Sequence, residues 1–288
     1  MHTFPKVGII VLNHNGQRCL LPCLESLQAL RYQEKDIIVI DNNSGDGSFD
    51  AAKKRFPHFT FLCNAQNDGF AKGMNSGIRL ALSRGAEWCW LFNYDALAAK
   101  ESLQTLMRAA DDNPHAGLLS PAISDVASGR LWFGKGRIDF FRMRTLHTVP
   151  TREERLSKTY PSEFLTGCAL LIKKDLIERI GFLDERYFLY YEDADYSLRA
   201  WRAGFACLVV PGANVAHSEA SRMNPKKTYF LVYSGLVFFQ QWTPFFLRPY
   251  VAAYVTIRRV KNVLDRLMHR GSASQEVHRA YRDYFYER

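Results

Sequence analysis

The strongest constraint on this chain is an alternation. Short apolar runs that end in polar residues are separated by stretches with helical periodicity, and the pair repeats four times in about 110 residues. Residues 7–12, 37–40, 59–63 and 88–92 are the apolar runs. Each is nearly continuous rather than alternating, as expected for strands buried on both faces of a parallel sheet. Between them, Leu20, Leu21, Leu24, Leu27 and Leu30 recur at helical spacing, and helices are expected up to Phe56, over 71–84 and over 100–113. The fold class that follows is α/β, with a doubly wound, mostly parallel sheet flanked by helices.

In such sheets ligands bind outside the carboxyl ends of the strands. The polar residues there are therefore the first candidates: Asn13, Asp41, and Asn93 with Asp95. Asp41 is expected beside Asp95 and has the chemistry to accept a hydrogen bond from a nucleobase or ribose. Asp95 is a hard oxygen ligand of the kind that holds Mg2+ or Mn2+ against a diphosphate. The turn from Asn67 through Gly69 to Asn75 opens a helix, where backbone comes close to a ligand and anions are favoured. It is neither a dinucleotide fingerprint nor a Walker loop.

Beyond residue 120 the rhythm breaks. Residues 121–162 carry little periodicity and read as a flap or irregular excursion. A strand is expected over 164–173, a short helix over 175–180 closed by Gly181, a helix over 192–203 and a last strand over 205–210. The aromatic run 187–191 precedes Glu192, Asp193 and Asp195. Acids in a first turn suit the helix dipole, which would hold Asp193 ionised and ready to take a proton. His217, after the last strand, is a candidate metal or phosphate partner.

Composition adds direction. The net charge of +9 points to anionic partners. No nucleic-acid motif is present and the basic residues are spread out, so nucleic acid is not expected. The six cysteines form no C-x-x-C pair, and a reduced, cytoplasmic protein without disulfides is expected. No leader segment is read at the N-terminus, and no apolar run reaches the roughly 18 residues of a membrane span. From residue 226 onward the chain reads as helical, aromatic and basic. Residues 229–270 there are suited to a membrane interface, to a helical pair packed on the sheet or to a homodimer contact.

Six stretches in order resemble the inverting glycosyltransferases of family 2, in particular the bacterial rhamnosyltransferase-like branch: VGIIVLNHNG (7–16), IIVIDNNSGDGS (37–48), NDGFAKGMNSGI (67–78), LFNYD (91–95), the segment 164–205 and the region of His217. The resemblance implies a GT-A fold with a catalytic domain over 1–222, its nucleotide-sugar half ending near residue 120, and a C-terminal helical extension over 223–288. It implies Asn13 and Asp41 at the nucleoside and Asn67, Gly69 and Asn75 at the donor. Asp95 and His217 would then hold Mg2+ or Mn2+, and Asp193 would be the general base. The implied partners are a nucleotide-sugar, with dTDP-rhamnose as the expected donor, and a glycan or polyprenyl-diphosphate-linked acceptor. The setting would be bacterial surface polysaccharide synthesis, at the cytosolic face of the inner membrane. Two features depart from the branch: Asn93-Tyr94-Asp95-Ala96 replaces a Pro and small hydroxyl residue near the acid, and Tyr233-Ser234 replaces an Arg-Asn pair. A sugar nucleotidyltransferase would need a Gly-rich basic loop after the first strand, where this chain has Asn13-His14-Asn15-Gly16. A non-catalytic carbohydrate-binding scaffold is the remaining alternative.

Overall fold

The computed structural model describes residues 4–218, 224–268 and 273–286. The alternation folds as β1 (Val7–Asn13), α1 (Leu20–Gln28), β2 (Lys35–Asp41), α2 (Ser48–Arg55), β3 (Thr60–Cys63), α3 (Gly69–Ser83) and β4 (Trp88–Asn93). The four strands are parallel, in the order β4-β1-β2-β3. Every residue of β1 and residues 88–92 of β4 are buried, as their unbroken apolar runs require. The helix α3 lies close on β1 because Gly77 has no side chain: a Cβ there would sit 2.3 Å from Ile10 Cγ2.

The chain continues through β5 (Ala96–Ala98), α4 (Ser102–Asp112) and β6 (Ala116–Asp125). The segment expected to be irregular is instead structured. After β6 come β7 (Leu131–Phe133), the hairpin β8 (Lys135–Asp139) and β9 (Arg144–Thr148), α5 (Arg152–Leu156) and β10 (Tyr160–Pro161). These strands have two to five residues and mixed exposure, too short for a period to show in the sequence.

Next follow β11 (Ala169–Lys173), α6 (Lys174–Ile180), α7 (Glu192–Arg202) and β12 (Ala206–His217). Two expected boundaries move. Residues 164–168 are not strand: Leu165 N–H donates to Ser197 Oγ and Gly167 N–H to Asp193 Oδ2, so side chains of α7 replace a ladder. The last strand does not stop at Val210. It crosses an irregularity between Val210 and Asn214, where Pro211 and Gly212 interrupt pairing, and runs on to His217.

The full sheet has ten strands in the order β10-β12-β6-β11-β4-β1-β2-β3, with β5 on β12 and β7 on β6. β11 is antiparallel to both neighbours, and β10, β5 and β7 also pair antiparallel, so the sheet is mixed: the expected parallel arrangement holds for β4-β1-β2-β3 and for β6 with β12. All six cysteines are free thiols.

The tail forms α8 (Pro225–Trp242), a 3-10 turn (Phe245–Leu247), α9 (Arg248–Leu267) and α10 (Ser274–Tyr286). α8 is a core helix, with Phe238, Phe239 and Trp242 buried and the two Phe rings packed against Tyr191. α10 packs on it, with hydrogen bonds from Tyr284 Oη to Gln240 Oε1 and from Tyr229 Oη to Asp283 Oδ2. The expected boundary at 222/223 and Arg270 lie outside the described residues. Among the described residues no helix is long and apolar enough to cross a membrane.

Candidate active site

A cavity of about 460 Å³ opens at the carboxyl ends of the strands. It lies between β1 and β4 on one side and the segments before β11 and α7 on the other. Asp95, His217, Asn67, Gly69 and Asp193 all line it. Asn13, Asp41 and Asn75 are not in its lining and are buried behind it.

Those three form the support. Asp41 is not beside Asp95, because β1 lies between β2 and β4: Asn13 pairs with Asp41 on one side, and Leu12 with Asn93 on the other. Asn13 Nδ2 donates to Asp41 Oδ1 at 2.7 Å and to Ser48 Oγ at 2.9 Å. Asp41 Oδ2 also accepts from Ser44 N–H. This network pins the loop after β2. Asn75 ties α3 to the loop before α7, donating to Leu183 O and Glu185 and accepting from Leu183 N–H.

Asn67 and Gly69 shape the entrance to α3. Asn67 Oδ1 accepts from Gly69 N–H at 3.0 Å and from Asn42 Nδ2 at 3.1 Å. Gly69 has φ +79°, and a Cβ there would lie 2.5 Å from Phe188 O. Only glycine satisfies both demands. The contact joins α3 to the aromatic run, with Phe70 N–H donating to Phe188 O.

On one wall, β5 pairs antiparallel with the far end of β12, so His217 stands opposite Ala96. His217 Nε2 is 3.1 Å from Asp95 Oδ1, and both residues are buried. His217 Nδ1 is buried without a hydrogen-bond partner. Leaving such an atom unpaired costs about 1–3 kcal/mol. An imidazole nitrogen and a carboxylate oxygen 3.1 Å apart on one wall fit a divalent cation that takes its other ligands from diphosphate oxygens and water. No cluster of three or more His, Cys, Asp or Glu is found among the described residues, and Asp95 with His217 is the pair in this cavity that could hold such an ion. Trp132 covers the imidazole at a centroid distance of 4.5 Å, and His147 stands against Trp132 at 4.7 Å. Burial lowers the pKa of His147.

On the facing wall, Tyr190 and Tyr191 both have φ +70°, a left-handed pair that costs roughly 1 kcal/mol or more each. Ser234 of α8 holds this turn by donating to Leu189 O at 2.8 Å. The turn delivers Glu192 and Asp193 into the cavity lining at the first turn of α7. Asp193 Oδ2 accepts from Gly167 N–H at 2.9 Å, and Oδ1 from Ala194 N–H at 2.7 Å. Its pKa moves opposite to the dipole expectation. Burial raises it above the ordinary carboxylate value, against the lowering effect of those two N–H groups. Glu192 is raised further, by burial and then by the charge of Asp193, and its Oε2 has no partner.

Asp195 plays a different part from its two neighbours. It is fully buried and accepts from Trp242 Nε1 at 2.8 Å, Gln241 Nε2 at 3.1 Å and Arg199 Nε at 2.8 Å. It anchors the end of α8 to α7. Ser234 and Tyr233, at the positions that depart from the branch pattern, are likewise packing residues, Tyr233 stacking on Tyr229.

Sequence reasoning passed over Asn42, Trp132, His147, Thr166, Gly167 and Lys227, which also line the cavity. Trp132 and His147 come from the strands whose shortness hid them. Gly167 had a signal, a glycine between Thr166 and Cys168 before an apolar run, but its backbone donor role depends on where α7 falls.

Residues 8–181 match the sequence model of the family described as Glycosyl transferase family 2. An N-acetylglucosaminyl-diphospho-decaprenol L-rhamnosyltransferase of Mycobacterium tuberculosis is 30% identical over 218 residues, covering 68% of this chain and 71% of that protein. A dTDP-rhamnosyl transferase of Shigella flexneri is 24% identical over 209 residues, covering 68% of this chain and 66% of that one. Among solved structures, GalNAc-T7 with UDP, GalNAc and Mn2+ superposes with a TM-score of 0.64 at 18% identity. That match covers 76% of this chain, which spans 44% of the length of GalNAc-T7, and it speaks to the fold alone.

Proposed function

This chain belongs to glycosyl transferase family 2, and from that membership and the cavity we propose that it transfers rhamnose from dTDP-rhamnose, with inversion, to a glycan or polyprenyl-diphosphate-linked acceptor in bacterial surface polysaccharide synthesis. The observation that carries this reading is the pairing of walls: Asp193 on one, Asp95 with His217 on the other, in one cavity. The donor choice is supported by the name of the Shigella relative and the acceptor class by that of the mycobacterial one.

In this reading the Asp193 carboxylate takes the proton of the acceptor hydroxyl. The oxygen so freed forms its bond to the anomeric carbon as the bond to the nucleoside diphosphate breaks, and the diphosphate leaves with that electron pair. A carboxyl with a raised pKa is a better proton acceptor than an ordinary one. Asp95 and His217 would hold Mg2+ or Mn2+. When bound, that ion neutralises charge developing on the departing diphosphate. Asn67 and Gly69 would border the donor, while Asn13, Asp41 and Asn75 would act by fixing the loops around it. The protein would work at the cytosolic face of the inner membrane. Bilayer contact and homodimer formation compete for the same C-terminal surface.

The test is calorimetric titration of the purified protein with nucleoside diphosphates and their sugars, with and without Mn2+. Mn2+-dependent binding of dTDP and dTDP-rhamnose supports the reading. Binding of another nucleotide moves the donor. Binding of none favours a non-catalytic scaffold on this fold.

A further inference from the structure

We infer that the outer face of α9, with the turn before it and the tip of the β8–β9 hairpin, is a docking surface for an anionic lipid bilayer. The inference takes its location from packing, not from the transferase reading; only its consequence, delivery of a lipid-linked acceptor, rests on that reading. The large apolar residues of 229–270 divide into two sets. Phe238, Phe239 and Trp242 are core residues and cannot meet a membrane. Phe245, Phe246, Ile257, Val260, Leu264 and Leu267 are between 49% and 80% exposed.

The exposed set is ordered. Ile257, Val260, Leu264 and Leu267 follow one another at spacings of three and four, one stripe of a helix. The residues of α9 that are buried, Val255 and Asn262, lie on the opposite side. A run of large apolar side chains left in water along one helix marks an interaction surface. Between Phe245 and Met268 there are five cations (Arg248, Arg258, Arg259, Lys261 and Arg266) and one acid, Asp265. An apolar stripe backed by a basic polar face is the pattern of a helix lying in the headgroup plane. A contact between two copies would join chains that each carry a net charge of +9, whereas lipid phosphates complement that charge.

The surface is tied to the cavity. Tyr250 Oη donates to Phe141 O at 3.0 Å and Tyr254 Oη to Arg142 O at 3.4 Å, joining α9 to the hairpin tip. Phe141, itself exposed, stands edge-on to Tyr250 at 5.7 Å. The same hairpin supplies Thr145 and His147 to the cavity wall. A bilayer at α9 therefore lies along the wall of the cavity from which a lipid-linked acceptor would enter.

Flotation of the full chain with phosphatidylcholine vesicles, with and without phosphatidylglycerol, tests this. Binding is expected only to the anionic vesicles and is expected to fall as salt rises. The double variant Ile257→Glu/Leu264→Glu should lose vesicle binding while keeping the wild-type melting temperature. Phe245→Glu/Phe246→Glu, outside α9, provides the same test should the first variant fold poorly. No vesicle binding by the wild type, or undiminished binding by a folded variant, overturns the inference. So does light scattering that shows a dimer abolished by the same substitutions, which would make the face a contact between copies. Nucleotide titration of the same samples separates the two readings: nucleotide binding without vesicle binding removes the docking surface alone, and vesicle binding without nucleotide binding removes the transferase reading alone.

Discussion

Asp95 and His217 are 122 positions apart in the chain and 3.1 Å apart in space, joined because β12 resumes beyond Pro211 and Gly212 to pair with β5. Both residues line the cavity, and His217 Nδ1 is buried with no hydrogen-bond partner among the described residues. Asp95→Ala should abolish the Mn2+-dependent part of nucleotide binding. His217→Ala should weaken it by about tenfold to a hundredfold, the range typical of groups that orient or complete a metal site. Calorimetry with and without Mn2+ measures both, and unchanged binding in Asp95→Ala would remove it from the site.

Asp193 predicts a separation of binding from transfer. Asp193→Asn should bind nucleotide as the wild type does and lose transfer by roughly a hundredfold to ten-thousandfold, the span of general-base catalysis. The pH profile is a second check. The base works ionised and burial raises its pKa, so the rate should fall with acidity at a pH above the 3.9 or so of an ordinary Asp. Transfer retained by the Asn variant would assign the base elsewhere.

Glu192 makes a prediction about stability. Burial and the charge of Asp193 raise its pKa in the folded chain, so the folded state holds the proton more firmly than the unfolded state. Its contribution to stability is then present below the unfolded value of about 4.3 and is lost as pH rises toward the folded value. Glu192→Gln should therefore raise the melting temperature at neutral pH and flatten its decline above about pH 4.3. A variant that melts lower than the wild type at pH 7 would show that Glu192 is ionised and paired.

Asp195 is the joint between α7 and the C-terminal helices. Asp195→Ala would remove the carboxylate that balances the Arg199 charge and leave the buried Trp242 Nε1–H without its acceptor. The expected loss is about 3 kcal/mol or more in urea unfolding, as for other broken buried pairs. A loss under about 1 kcal/mol, the level of an exposed pair, would mean that the joint is not needed.

The parallel half of the fold was legible because its physics is local. Residues 7–12 and 88–92 are continuous apolar runs, and only a sheet covered on both faces accommodates that pattern. The polar residues at the ends of those runs marked the side on which the cavity lies. Asn13 and Asp41 were visible as strand ends, yet their burial behind the cavity was not, since it depends on which strand lies between which. The segment 121–162 was opaque for another reason: strands of two to five residues with mixed exposure carry no readable period, so Trp132 and His147 went unseen.

By itself, then, the sequence determined the alternating α/β sheet, the end of it that carries the chemistry and the family to which the chain belongs. Periodicity and short motifs belong to neighbouring residues and survive without a fold. Tertiary structure alone decided that Asp95 meets His217, that Gly167 N–H holds Asp193, that Asp195 is a joint, and that Phe238 is core while Ile257 faces outward. Those outcomes rest on strand order, a break in β12 and the docking of α8, which bring together groups that no local pattern connects.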